Sequence, residues 1–129
     1  FRIGEMQPER DHDLKASEQS YVDAAYGRSG REVRRDGFFS FNMKVEPDKP
    51  TTLLFSYIGD DKGRSFDILV DEVKVASVEL KGGKPGKFFD EEYTIPADLV
   101  KDKSTIRVKV QSTNGRTAGR VFGVRTIRK

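Results

Sequence analysis

A chain of 129 residues with a net charge of +3 is the size of one domain, long enough to bury roughly two-thirds of its unfolded surface around a single core. Only 35% of it is hydrophobic, but 9 Phe and 4 Tyr supply bulky groups for a thin aromatic core, which argues against a disordered chain. With no cysteine, disulfides, thiolate metal sites and thiol nucleophiles are excluded, and no apolar run nears the roughly 20 residues that span a bilayer.

The first residues, Phe1 to Glu9, lack the basic start and apolar centre of a signal peptide, so the sequence reads as a processed protein or a piece of a longer one. Glu5 to Lys15 is too polar and irregular to assign to an element. His12, the only histidine, lies there among Glu9, Arg10, Asp11 and Asp13. One histidine among carboxylates falls short of a zinc set, and an ordinary loop residue fits as well. Ser20 to Tyr26 reads as a strand. Arg28, Arg31, Arg34 and Arg35 then crowd around Gly27, Ser29 and Gly30. Their guanidinium forks suit carboxylates, phosphates or sugar hydroxyls, and equally suit surface ion pairs with Glu32, Asp36 and the acidic N-terminal loop.

From Phe38 onward, short β-rich runs alternate with turn residues every 8 to 14 residues or so, the spacing of a sandwich or barrel. Phe39, Phe41, Met43 and Val45 share one face of a strand that Glu46 to Pro50 breaks. Thr52 to Ile58, apolar on both faces, predicts a central strand, and Gly59 to Gly63 a loop. Phe66, Ile68 and Val70 form the next strand, with Arg64 at its start and Asp67 between apolar neighbours. Val73, Val75 and Val78 begin its hairpin partner beyond a tight turn at Asp71-Glu72. Lys81 to Gly86 reads as a loop, and Phe89, Tyr93 and Ile95 as a strand stopped by Pro96, which opens a single helical turn reaching Val100.

Strands over Ser104 to Gln111 and Arg120 to Arg128 close the chain around a turn at Thr113 to Gly115. Residues 101 to 129 hold 9 Lys and Arg against one acid, Asp102. Arg107 and Lys109 alternate with Ile106, Val108 and Val110, the signature of a solvated strand face rather than a nucleic-acid surface. The count is about eight strands with no crossover helices, which predicts an all-β fold, an antiparallel two-sheet sandwich.

Chemistry is sparse. A Ser-His-Asp arrangement would need His12, and no G-x-S-x-G elbow is present. Acidic pairs such as Asp60-Asp61 are common in a chain that is 35% charged, and a small sandwich offers no deep cleft for glycoside hydrolysis. No enzyme activity is expected of the chain alone. Calcium is the candidate cofactor, since it accepts loop carboxylates and carbonyls without a fixed spacing.

Several ordered motifs carry a resemblance: Gly4 to His12, Gly37 to Val45, Tyr57-Ile58-Gly59-Asp60, Arg64 to Asp71, Tyr93-Thr94-Ile95-Pro96 and Ala118 to Arg125. Together, over nearly the whole length, they resemble the C-terminal accessory module of bacterial glycoside hydrolases of the β-L-arabinofuranosidase type. Glu72 departs from the pattern, where glycine would be usual, and leaves the turn type open. The resemblance implies a jelly roll similar to galactose-binding-like domains. It also implies a parent glycoside hydrolase exported to the periplasm or outside the cell. Residues 1–129 would then be one module at the C-terminal end of that enzyme. Its partner would be a carbohydrate or the catalytic domain of the same polypeptide. The expected function is carbohydrate binding without catalysis. The alternative is a structural module that buttresses the catalytic domain. Glu9, Arg10, His12, Arg28, Arg64 and Asp67 are the candidate sugar-binding residues, with Tyr21, Tyr26 and Tyr57 as candidate aromatic platforms.

Overall fold

A computed structural model describes residues 1–47 and 49–128; Asp48, within the expected break at Glu46 to Pro50, and Lys129, at the end of the expected module, lie outside the described residues. Eleven strands run in order: β1 (Lys15–Ala16), β2 (Ser20–Ala25), β3 (Arg28–Val33), β4 (Phe38–Lys44), β5 (Thr51–Gly59), β6 (Lys62–Val70), β7 (Val73–Lys81), β8 (Lys84–Ile95), β9 (Thr105–Ser112), β10 (Ala118–Val121) and β11 (Gly123–Arg128). A six-residue helix, α1 (Met6–Asp11), precedes them, and a single 3-10 turn covers Ala97–Leu99.

All the pairings are antiparallel. One sheet has the order β1-β4-β9-β6-β7, a second β11-β5-β8 and a third β10-β3-β2. The first two face each other as the layers of the sandwich. Period-2 alternation sends Phe39 and Phe41 of β4, Phe66 and Ile68 of β6, and Leu53, Phe55 and Tyr57 of β5 into the core they share. Tyr57 meets Phe66 across the layers at 6.0 Å between ring centroids. Val33, Ala118 and Val121 join the third sheet to the same core.

The eleven strands exceed the eight read from pattern for identifiable reasons. Arg28, Arg31 and Glu32 hide β3, whose pairing with β2 runs from Ala25↔Arg28 to Ser20↔Val33. The final strand divides at Phe122, where the chain leaves β3 and joins β5. Two expected loops are also shorter. β6 begins at Lys62, leaving Asp60 and Asp61 to link β5 to β6, and β8 begins at Lys84 after Gly82-Gly83. The Asp71-Glu72 hairpin closes with Val70 opposite Val73, and both turn residues take left-handed φ, 47° and 70°, as a two-residue type I′ turn demands. A register shift after Ile68↔Ala76 leaves Val75 unopposed, which is why inward residues change parity between Val75 and Val78.

Candidate functional site

The six residues singled out by sequence are not brought together. Glu9, on α1, is gripped by Arg31 of β3 through two parallel bonds, Nε to Oε2 and Nη2 to Oε1, each 2.8 Å, and also accepts the Gly4 N–H at 3.0 Å. These side chains are only 12% and 13% exposed, so the pair clamps the helix to the third sheet. Arg10 is exposed on the same helix. The His12 ring stacks on Phe1 at 3.9 Å and 6°, and its Nδ1–H donates to the Pro8 carbonyl at 2.8 Å.

Arg64 enters a largely buried ion network. It pairs with Glu32 and lies 3.5 Å from Asp61, which also takes the Arg120 guanidinium at 2.9 Å and the Arg120 N–H at 3.0 Å. The hydrogen bond to Asp61 raises the Arg120 pKa above its ordinary value despite opposing desolvation. Asp67 stands on the outer face of β6 and accepts from the Ser77 hydroxyl at 2.8 Å. Of the aromatic candidates, Tyr57 is fully buried with its hydroxyl 2.8 Å from that of Tyr93. Tyr21 lies under the Arg34 guanidinium.

Tyr26 is different: it is 65% exposed, yet fixed. It occupies the β2–β3 turn with φ 50°, followed by Gly27 at φ 76°. Its hydroxyl donates to Asp60 Oδ2 at 2.7 Å, and Asp60 Oδ1 accepts the Gly86 N–H at 2.5 Å. Three connections, from β2–β3, β5–β6 and the start of β8, therefore meet around one carboxylate. The Gly86 N–H, then the Tyr26 hydroxyl, lower the pKa of Asp60, and the same bond raises that of Tyr26.

Two residues after Tyr26, at the start of β3, the Arg28 guanidinium lies 4.9 Å from the centre of the Phe88 ring and 5.8 Å from that of Phe122. The surface then falls into a cavity of about 330 Å³ lined by Arg2, Arg28, Leu54, Ser56, Asp90 and Arg125 on the outer face of the β8-β5-β11 sheet. Ser56 donates to Asp90 there at 2.6 Å. Asp60, Phe88 and Arg125 were missed as site residues by sequence reasoning. The Tyr26-Gly27 turn was the available signal, since an aromatic side chain at a tight turn has little to pack against. Among the described residues, no three His, Asp or Glu side chains gather as a metal-ligand set, and no helix is long and apolar enough to cross a membrane.

The fold is similar to that of solved carbohydrate-binding modules. A family 35 carbohydrate binding module from Clostridium thermocellum superimposes with a TM-score of 0.66 at 10% identity, over 91% of this chain and 93% of that one. The C-terminal CBM6 of LamC, a marine laminarinase from Zobellia galactanivorans, gives 0.63 at 11% identity over 100% and 98%. An exo-β-1,3-galactanase from Phanerochaete chrysosporium gives 0.68 at 10% identity, with 89% of this chain covering 27% of that enzyme. No curated protein matches the chain. The family model described as Family of unknown function (DUF6805) matches residues 1–127, and the chain belongs to that family.

Proposed function

We propose that this chain is a non-catalytic, carbohydrate-binding accessory module of a secreted bacterial glycoside hydrolase, of the β-L-arabinofuranosidase type that its motifs resemble. Residues 1–129 form its single module, working in the periplasm or outside the cell. The observation that carries this reading is the exposed Tyr26 ring, immobilised by Asp60 at the loop end of a sandwich whose fold is shared with carbohydrate-binding modules. A pyranose offers an apolar C–H face to such a ring, and fixing the ring beforehand reduces the entropy lost on binding. Asp60, bonded to the ring's hydroxyl, adds an acceptor beside it, and Arg28 follows two residues on in sequence with donors for hydroxyls. Titration calorimetry with arabinose- and galactose-containing oligosaccharides tests this. Binding should be present in the native chain and roughly tenfold weaker in Tyr26→Ala. Absence of heat at millimolar sugar would reject it.

The alternative, a buttress for the catalytic domain, is favoured by α1. That helix has no buried residue and presents Met6 at 75% exposure, although Glu9 fastens it rigidly to the sandwich. Lost sugar binding together with tighter association to the catalytic domain would select this reading.

A further inference from the structure

Each of the three sheets ends in free edges, and most of these are blunted. β1 is two residues long, β10 carries a register shift between Ala118 and Val121, and β7 carries one after Ile68↔Ala76. The first residues cover the start of β11: the Val124 N–H donates to the Phe1 carbonyl and the Ile3 N–H to that of Phe122, each at 3.1 Å. β8 is different. It ends its sheet, and from Phe88↔Ile58 to Ile95↔Thr51 it keeps eight consecutive pairs with β5 in unbroken register. β2, the other regular edge, keeps six.

Open space lies against the free side of β8. A slot of about 370 Å³ separates it from β7, lined by Phe89, Glu91 and Tyr93 of β8 and by Val78 and Leu80 of β7. Alternation puts Lys87, Phe89, Glu91 and Tyr93 on this one face, where Phe89 and Tyr93 are only partly buried. Along the strand the charges are sorted by sign. Lys84 and Lys87 come before Phe88-Phe89, and Asp90, Glu91 and Glu92 follow.

We infer that β8 is a self-association edge, through which two copies of this chain pair antiparallel about a two-fold axis at Phe89. Their three-stranded sheets then join into one of six, ordered β11-β5-β8-β8-β5-β11. Under that symmetry the central residue faces its own copy, and residues equally far on either side of it face each other. Centring at Phe89 sets the two Phe89 rings side by side and places Lys87 opposite Glu91 twice, on the same face. Centring at Asp90, Glu91 or Glu92 would set an acid against itself, and a parallel alignment in register would oppose all three acids to their copies. Charges that guard an edge against indiscriminate pairing here select one partner and one register.

The test reads mass, by sedimentation of the chain from micromolar to millimolar concentration. It should climb from that of one chain toward that of two and stop there. Lys87→Glu and Glu91→Lys, both at exposed positions, each bring like charges together at two symmetric places and should weaken the dimer roughly tenfold. The double exchange restores opposite charges and should recover it. Because the chain has no cysteine, Phe89→Cys reports the register directly. It should form a disulfide with its own copy on oxidation, whereas Thr94→Cys, five residues from the axis, should not. A mass that stays at one chain throughout, or single charge variants that associate as well as the native chain, would overturn the inference. So would a mass that grows past two copies, which would replace the closed pair with an open contact between β8 and the β7 of another copy.

Discussion

Arg31 holds Glu9 through two 2.8 Å hydrogen bonds that connect residues 22 apart, and among the described residues this pair alone joins the α1 side chains to the third sheet by a salt bridge. The same Arg31 donates to the Ser20 hydroxyl at 3.0 Å, so helix, β3 and β2 share one guanidinium. Removing the carboxylate strands a nearly buried cation. Glu9→Ala should therefore cost about 3 kcal/mol and lower Tm by roughly 10 °C. Glu9→Gln, which keeps an acceptor, should cost less. A loss within error for Glu9→Ala in thermal unfolding would show that the pair is not structural.

The Tyr26–Asp60 contact gives a pH dependence with a definite sign. Asp60 has a lowered pKa in the folded chain, so the contact is intact above the ordinary carboxylate value and is lost as pH falls through the lowered one. Tyr26 has a raised pKa, so its hydroxyl keeps its hydrogen until pH climbs beyond the usual phenol range. Sugar affinity should be flat between these limits, from about pH 4 to about pH 10. Asp60→Ala frees the ring and should weaken binding while leaving the fold intact, whereas Tyr26→Phe should lose only the anchor. Retention of full affinity in Asp60→Ala by calorimetry would count against the preorganised platform.

Glu72 sits at φ 70° where glycine would be comfortable, and its bond to Lys109, 3.4 Å with the carboxylate 73% exposed, returns little. Glu72→Gly should therefore stabilise the chain by about 0.5–1 kcal/mol, because it relieves a left-handed side chain in a type I′ turn. Asp71 is another matter. It pairs with Lys103 at 2.7 Å and accepts the Arg107 N–H at 3.0 Å, so Asp71→Gly should destabilise. Chemical denaturation of the two variants should give shifts of opposite sign.

The sandwich was legible because period-2 alternation is a local signal. Phe39, Phe41 and Met43, or Phe66, Ile68 and Val70, announce a buried face without reference to any partner. β3 was not, because Arg31 and Glu32 owe their burial to opposite charges contributed by distant segments, Glu9 and Arg64, and a list of residues does not reveal which charges will meet. The same reason governs the site. Arg64 stands against Glu32 and Asp61, a pairing its neighbours in sequence do not announce, whereas Arg125 has no acid beside it among the described residues. Tyr26 and Asp60 lie 34 residues apart, and only the meeting of two turns joins them.

That meeting depends in turn on Gly59. A Cβ there would stand 2.1 Å from the Lys84 carbonyl oxygen and 2.4 Å from the Lys84 Cβ, so the end of β5 and the start of β8 approach more closely than any side chain allows. Neither obstacle is the free end of a flexible chain, and Gly59→Ala must push the two strands apart next to Asp60 and Gly86. The expected cost is about 2 kcal/mol, in the range of overpacked positions, together with loss of the Gly86 N–H bond that orients Asp60. Gly27→Ala, with open space around its added methyl but φ 76°, should cost about 1 kcal/mol of backbone strain and leave the β5–β8 approach unchanged. If Gly59→Ala bound sugar as tightly as the native chain, the geometry at Asp60 would not govern the platform.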